Sequence, residues 1–213
     1  AWAPAAATNP SWDLEQSGCI LVVCSSGSEE YNGFGVPIKR AVRKDTKLVV
    51  IDSREVELTR YAHIWLRPAP GTEQLLLGGL LKSVIDQGFQ KDDWLAENCE
   101  SPATLQYALS ALDLDEIAKT TQVDAADIAE AARLYGEAET SALVYALDNI
   151  QPRLARDCVL SLVNLAVVTG NIGKTGAGSS PMRPGANEQG AGDVGCVPER
   201  LPGYRWVSNP ASR

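Results

Sequence analysis

Histidine is almost missing from this chain of 213 residues, which contains only His63. Zinc sites commonly use histidine, and the Ser–His–Asp and Cys–His arrangements of hydrolases each need a histidine base. Any such site would have to use His63, which lies between Ala62 and Ile64 in a strand-like stretch. This position favours a structural role for His63 over a catalytic one.

Paired cysteines are also missing. The five cysteines form no CxxC pair, and their number is odd. A metal site or a disulfide framework is therefore not indicated. We interpret the cysteines as free thiols buried as small apolar side chains in a reducing compartment, which favours the cytoplasm.

Positive charge is scarce, because 19 Lys and Arg face 27 Asp and Glu and the net charge is −8. Nucleic acids and anionic membranes bind basic surfaces, so neither is an expected partner. No apolar run approaches the roughly 20 residues that cross a bilayer, so no membrane insertion is expected. The opening AWAPAAATNP lacks the basic residues of a signal peptide, and we interpret residues 1–12 as a linker.

Apolar residues make up 45% of the chain, which is enough for a core. The continuous apolar runs CILVVC, LVVI and SALVYAL predict strands buried on both faces, and HIWLR predicts a shorter one. Helical patterns separate these strands, and residues 91–138 are expected to be mostly helical. A long apolar helix, RDCVLSLVNLAVVTGNIG, is expected to end at Gly170, and no regular element is predicted after Gly173.

Strands that alternate with helices predict an α/β fold with a mostly parallel sheet. Ligands of such sheets bind outside the carboxyl ends of the strands. We therefore expect loops 24–32, 52–56 and 68–73 to meet at one edge, together with the loop LDNIQPR after the fourth strand.

Each of these loops has a functional and a structural interpretation. The loop SSGSEE either lets a ligand approach the backbone closely or forms an ordinary Gly/Ser turn. It has neither the GxGxxG spacing of a dinucleotide fingerprint nor the GxxxxGK[ST] spacing of a P-loop. Asp52 accepts a ribose hydrogen bond or caps the next helix. Thr72 and Glu73 form a helix start, where Thr72 is the expected cap.

The stretch SSPMRPGANEQGAG, residues 179–192, has no hydrophobic period and many glycines and prolines, yet carries Arg183, Asn187 and Gln189. It is either a surface linker or a loop that lies against a large polar ligand. The residues alone predict an α/β domain with a nucleotide-like ligand at its strand ends.

Three segments of the chain resemble the large molybdopterin oxidoreductases of the dimethyl sulfoxide reductase type, and most closely the catalytic alpha subunits of formate dehydrogenases. The segments are ATNPSWDLEQSGCILVVCSSGSEEY, KRAVRKDTKLVVIDSREVELTRYAHIWLRPAPGTEQLLLGGL and NLAVVTGNIGKTGAGSSPMRPGANEQGAGDVG. They occur in the family's order and with conforming spacing, and the resemblance as a whole extends over nearly the whole chain.

The resemblance implies a Rossmann-like, three-layer αβα domain with a helical insert and an irregular Gly-rich C-terminal tail. It implies a molybdopterin guanine dinucleotide cofactor with molybdenum or tungsten. It also implies that Arg183 matches an active-site arginine, whose guanidinium pairs with a substrate carboxylate. The residues expected to bind the cofactor are Cys24, Ser25, Ser26, Glu29, Asp52, Ser53, Arg54, Gly71, Thr72, Glu73, Leu147, Gln151, Asn187, Gln189, Gly190 and Asp193.

The chain departs from the family pattern close to the expected metal position. Pro184 follows the matched arginine, and Gly185 stands where formate enzymes have a glutamine. The family's iron–sulfur module, its cysteine or selenocysteine metal ligand and its carboxy-terminal domain have no counterpart in this segment. No cysteine here aligns with a metal ligand of the family.

We therefore predict a linker (1–12), a cofactor-binding domain (13–173) and a cofactor and active-site tail (174–213). The expected partners are the remaining domains of the large subunit and an iron–sulfur electron-transfer subunit. The alternative function is a non-catalytic scaffold domain descended from the family. The complete enzyme is expected in the cytoplasm, although some relatives are exported to the periplasm.

Overall fold

The computed structural model describes residues 7–24, 32–146 and 152–182, followed by 187, 190–191, 194–196, 198–201 and 205–212. Contacts divide the chain into two compact units, Ala1–Met182 and Arg183–Arg213. The boundaries expected after residues 12 and 173 stay predictions.

A five-stranded sheet forms the centre of the first unit, and every neighbouring pair of its strands is parallel. The strands are β1 (Cys19–Val23), β2 (Lys47–Ile51), β3 (Ile64–Leu66), β4 (Ser141–Tyr145) and β5 (Gly178–Pro181). Their order is β3-β2-β1-β4-β5, which is the order of Rossmann-like sheets. The predicted α/β fold with a parallel sheet is confirmed.

The helices of this unit connect the strands. They are α1 (Asn32–Val42), α2 (Glu73–Asp86), α3 (Asp92–Asn98), α4 (Pro102–Ser110), α5 (Leu114–Thr121), α6 (Ala125–Glu137) and α7 (Pro152–Val168). Two 3-10 helices, Ser11–Gln16 and Glu57–Tyr61, complete the unit. None of the helices among the described residues is long and apolar enough to cross a membrane.

Two hydrophobic cores lie on opposite faces of the sheet, because successive strand residues point to opposite sides. Leu21 and Val23 of β1 pack on one side against apolar residues of α2, α6 and α7. Ile20 and Val22 pack on the other side against α1 and the two 3-10 helices. Each such buried side chain stabilises the fold by about 1.5–3 kcal/mol. The result is the expected three-layer arrangement.

Strand β5 corrects the prediction that no regular element follows Gly173. Its sequence, Gly-Ser-Ser-Pro, has no apolar run, yet Ser179 and Ser180 are buried. Pairing with β4 on one side holds this edge strand. On its other side, Thr8 N donates to Ser179 O at 2.9 Å, and Ser179 N donates to Thr8 Oγ1 at 2.9 Å. A strand held by backbone pairing rather than by large side chains leaves no hydrophobic pattern.

The second unit contains a short antiparallel pair, β6 (Arg200–Leu201) and β7 (Arg205–Trp206). A 3-10 helix, Pro210–Ser212, follows it. A turn starts at Asn187, which has a φ of 64°.

Candidate functional site

The carboxyl ends of the five strands all lie at one edge of the sheet, which we call the carboxyl edge. The backbone ladder continues one residue beyond several of the strands; for example, Cys24 N donates to Ile51 O at 2.8 Å and Met182 N donates to Tyr145 O at 2.7 Å. Chain connectivity runs outward in opposite directions from β1 and β4. Ligands of Rossmann-like folds bind at such a reversal of strand order.

Asp52 is fixed at this edge and is only 3% exposed. Its Oδ1 accepts a hydrogen bond from Arg54 N at 2.9 Å. Its backbone O accepts one from Trp65 Nε1 at 2.9 Å, and its backbone N donates to Leu66 O at 3.2 Å. The carboxylate therefore forms a turn with the residue two positions later, and does not cap the 3-10 helix that begins at Glu57.

The backbone of the next residue, Ser53, is held by the residue that follows β3. Arg67 Nε donates to Ser53 O at 3.2 Å. The Arg67 guanidinium also lies 5.4 Å from the centre of the Trp65 ring, within cation–π range. Residues 52 and 53 are thus hydrogen-bonded to β3 and to the residue that follows it.

Gly71, Thr72 and Glu73 connect this edge to α2. Gly71 has a φ of 87°, which is the left-handed region that favours glycine. Thr72 occupies the N-cap position as predicted, but its hydroxyl donates to Ala69 O at 2.7 Å and makes no bond to the helix N–H groups. The expectation that the Thr72 side chain caps α2 is therefore wrong, because the turn before the helix engages its hydroxyl.

Glu73, the first residue of α2, is buried with 6% exposure. Its Oε2 is inaccessible and has no hydrogen-bond partner within the described part of the chain. The other atoms of this kind there include uncharged groups of Ser17, Gln90 and Tyr135. A buried carboxylate costs far more than a neutral group when it is unpaired, so Glu73 is the candidate at this edge to accept a hydrogen bond from a ligand.

Two acidic residues, Asp52 and Glu73, lie in the surroundings of Cys24. Burial raises the pKa of its thiol, and the charges of Asp52 and Glu73 raise it further. Burial likewise raises the pKa of Cys158 to about 12, again with a contribution from Glu73. Cys24, Asp52, Glu73 and Cys158 therefore form one cluster, which we call the acidic cluster.

Cys158, on α7, was not among the expected site residues. The sequence shows it only as one more small residue in an apolar helix, and its position beside Glu73 depends on how α7 packs on α2. Cys24 also adopts a left-handed φ of 54°, where glycine would be less strained.

Eight expected site residues lie outside the described residues: Ser25, Ser26, Glu29, Leu147, Gln151, Arg183, Gln189 and Asp193. Their expected roles stay predictions.

Asn187 and Gly190 belong to the second unit and interact with each other. Gly190 N donates to Asn187 Oδ1 at 3.2 Å, and Ala191 N donates to Asn187 O at 3.0 Å. A side chain at Gly190 would collide with the amide of Asn187. Asn187 and Gly190 therefore have a local structural role in this turn, and their expected role in cofactor binding stays a prediction.

Metal ligands do not cluster among the described residues, where no group of three or more His, Cys, Asp or Glu side chains could hold an ion. His63 has a structural contact, since its Nδ1 accepts a hydrogen bond from Leu48 N at 3.1 Å. Burial lowers the pKa of His63.

A parallel sheet of this strand order with helices on both faces defines a Rossmann-like class of α/β domain. The sequence profile of the molybdopterin oxidoreductase family matches residues 3–205, and the chain belongs to this family. The predicted family is thereby confirmed. Membership implies a molybdopterin cofactor with molybdenum or tungsten.

Formate dehydrogenases are prominent among the relatives. The F420-dependent formate dehydrogenase subunit alpha of Methanocaldococcus jannaschii is 33% identical over 204 residues, which are 96% of this chain and 30% of that protein. Formate dehydrogenase H of Escherichia coli is 27% identical over 98% of this chain and 29% of its own length. The assimilatory nitrate reductase catalytic subunit of Bacillus subtilis is 29% identical over 97% of this chain and 29% of its length.

The fold also has a counterpart among solved structures. Acetylene hydratase from Pelobacter acetylenicus superposes with a TM-score of 0.70 at 19% identity, covering 79% of this chain and 25% of that one. An identity this low supports the fold alone. The chain spans about 30% of the length of the formate dehydrogenase relatives, and is similar to a part of each.

Proposed function

We propose that this chain is the nucleotide-binding domain of a formate dehydrogenase-like molybdopterin oxidoreductase. It binds the guanine nucleotide of molybdopterin guanine dinucleotide at the carboxyl edge, and it supplies Arg183 to the active site. The observation that carries this proposal is Glu73, a buried carboxylate with an unpaired oxygen that shares the surroundings of Cys24 with Asp52.

Glu73 fits a guanine base. An ionised carboxylate only accepts hydrogen bonds, and guanine presents N–H donors on its base edge. Since the Oε2 atom is buried and unpaired, the nucleotide reaches it only when a neighbouring group moves aside, and the new hydrogen bond then offsets the cost of its burial. A ligand with only acceptors, such as a bare phosphate, would be repelled.

Asp52 fits the ribose of the same nucleotide. Its Oδ1 bond to Arg54 N fixes the direction of the carboxylate. A carboxylate has about four acceptor positions, so it can still accept hydrogen bonds from hydroxyl groups. An acidic residue at the end of the second strand has this role in many dinucleotide-binding domains.

Arg183 supplies the proposed contact to the substrate. It follows Met182 by a single peptide bond, and Met182 is hydrogen-bonded at the carboxyl edge. A guanidinium offers a planar fork of donors that matches a small anion such as formate. We propose that Arg183 holds the substrate's negative charge in a fixed orientation.

When bound, the cofactor supplies the two-electron redox chemistry, and the residues of this chain hold and orient it. We also propose that further domains of the large subunit complete the cofactor site and that an iron–sulfur subunit takes up the electrons. The Methanocaldococcus jannaschii relative is an alpha subunit, which supports the proposal of partner subunits. The cytoplasm is the proposed location.

Cofactor content tests the nucleotide site. The full gene product is purified from cells that make the cofactor, and the guanine nucleotide released by acid is measured per mole of protein. Asp52→Ala and Glu73→Ala are expected to lower this content about tenfold or more, the effect of losing charged hydrogen bonds. Glu97→Ala is the control, because Glu97 is exposed on α3.

Turnover tests the arginine. Arg183→Ala is expected to lower formate oxidation about 100-fold or more while the guanine nucleotide and metal are retained. Nitrate reduction is assayed in parallel, since a nitrate reductase is among the relatives. Full activity of Arg183→Ala would remove the catalytic role. A wild-type protein without metal or guanine nucleotide would favour the scaffold alternative.

A further inference from the structure

Helix α4 exposes most of its surface to solvent. Only Leu109 of its nine residues is buried, and Tyr107 is 83% exposed, more than any other large hydrophobic residue that the structure describes. Residues 101–112 also contain no charged side chain. A helix with so wide an exposed side usually carries charged residues there. The composition of α4 is therefore that of a surface which a partner covers.

An apolar groove lies beside α4. Its volume is about 160 Å³, and its walls include one apolar residue from each of four helices: Ile85, Leu95, Leu105 and Val168. The exposed Gln106 of α4 also lines it, so the groove adjoins the solvent-facing side of this helix. An apolar cavity of about 150 Å³ holds one benzene ring, so the groove has room for one Leu or Phe side chain. We call α4 and this groove the α4 surface.

The surroundings of the α4 surface are strongly negative. Between Asp92 and Ala118 the chain contains seven carboxylates and no Lys or Arg. All seven carboxylates are exposed, and none of them forms an ion pair with another described residue. Residues 91–138 as a whole carry 11 Asp and Glu against 3 Lys and Arg, a charge of −8 that equals the net charge of the chain. Charge of one sign without a counter-charge attracts a partner of the opposite sign.

We propose that the α4 surface docks a basic, amphipathic helix of another protein. One apolar side chain of that helix enters the groove, others cover Tyr107, and its Lys and Arg side chains lie opposite the carboxylates. Protein interfaces have this arrangement, in which an apolar centre rich in tyrosine is surrounded by a polar rim. A nucleic acid would be repelled, and a second copy would bring its own net charge of −8.

This docking is independent of the proposed nucleotide site. Ile85, in the wall of the groove, lies twelve residues after Glu73 on α2, which is about 18 Å along the helix. Binding of the partner can therefore be measured on the chain without cofactor.

A peptide of leucine and lysine in amphipathic helical order is the probe, and the same peptide with glutamate in place of lysine is the control. Binding to the 213-residue chain is measured by calorimetry. The lysine peptide is expected to bind about 30-fold more tightly than the glutamate peptide at low salt, because only its charge is complementary. Its affinity should fall about tenfold in about 0.5 M salt, which screens exposed charges. Equal affinities of the two peptides, or no binding of the lysine peptide at millimolar concentration, would overturn the proposal.

Two variants test the apolar centre. Tyr107→Ala removes an exposed side chain and is expected to weaken binding of the lysine peptide about tenfold. Leu105→Trp fills the groove and should weaken binding to a similar extent, with an unchanged circular dichroism spectrum. Wild-type affinity in Tyr107→Ala would show that charge alone accounts for the binding and would overturn the proposal.

A matched pair of double variants tests the carboxylates. Asp115→Asn with Glu116→Gln removes two charges at the start of α5 and should weaken binding about fivefold. Asp45→Asn with Glu55→Gln removes two exposed charges outside residues 91–138 and should weaken it less than about twofold. Equal effects of the two double variants would show that the peptide responds only to net charge, and would overturn the proposal.

Other occupants of the α4 surface give different results. The full gene product should bind the lysine peptide as tightly as the 213-residue chain does. Loss of binding there would show that another part of the gene product covers the α4 surface, which would overturn docking of a separate protein. In sedimentation the 213-residue chain is expected to be monomeric through this surface, and a dimer that Tyr107→Ala dissociates would assign the surface to a second copy instead.

Discussion

The two edges of the central sheet differ in the charge of their buried polar groups. At the amino edge, where the strands begin, Asn171 Oδ1 accepts from Ser141 N at 2.9 Å, and Asn171 Nδ2 donates to Thr169 Oγ1 at 2.8 Å. At the carboxyl edge, Glu73 is buried with an oxygen that has no partner in the described part of the chain. Polar groups that satisfy one another stabilise the fold, whereas an unsatisfied carboxylate is the kind of group that the proposed ligand would bind.

The amino-edge arrangement also connects several elements. Asn171 follows α7, Ser141 begins β4, and Gly178 N at the start of β5 donates to Asn171 O at 3.2 Å. Ser141 Oγ donates to Tyr135 O of α6 at 2.7 Å. These hydrogen bonds therefore connect two helices and two strands at this edge.

The largest expected effect is at the amino edge. Asn171→Ala leaves the Ser141 N–H buried without an acceptor and removes the bond to Thr169, so the free energy of unfolding should fall by about 3 kcal/mol. Urea unfolding of the 213-residue chain measures it. Asn98→Ala is the control, because Asn98 is exposed and should change stability by less than about 0.5 kcal/mol. A loss below about 1 kcal/mol for Asn171→Ala would contradict a structural role for this edge.

A smaller effect of opposite sign is expected at the carboxyl edge. Glu73→Gln replaces a buried carboxylate by a neutral side chain of the same shape, so without cofactor the chain should become more stable by about 1 kcal/mol. The same variant should retain less guanine nucleotide in the full gene product. The exposed Glu97→Gln is the matched control. Destabilisation by Glu73→Gln would mean that the carboxylate stabilises the folded chain, and the two edges would no longer differ.

Much of this architecture follows from local sequence. CILVVC, LVVI and SALVYAL are buried strands because β-branched and apolar runs of this length fit a sheet covered on both faces. The ends of α2 and α7 were also predictable, since Gly88 and Gly170 follow them with φ values of 76° and 63°.

Strand β5 and the environment of Glu73 were not predictable in this way. Ser179 and Ser180 are buried because β4 and the segment at Thr8 flank them, and both neighbours are distant in sequence. Glu73 resembles any acidic residue at a helix start, where it would usually face water. Its burial results from packing of α2 beside the end of β1, which no local pattern records.

The smallest expected effect is the change with pH that one buried thiol causes in the free energy of unfolding. Burial raises the pKa of Cys19, at the amino edge, from 9.0 to about 12. Above pH 9 the unfolded chain loses this proton while the folded chain keeps it, so stability falls as the pH rises from 9 towards 12. At pH 9.5 this thiol should cost about 0.8 kcal/mol relative to pH 8. Cys19→Ala should flatten the measured decline by that amount, whereas Cys196→Ala, at an exposed position, should leave it unchanged. An equal decline in both variants would show that the Cys19 thiol ionises as readily in the folded chain as in the unfolded one.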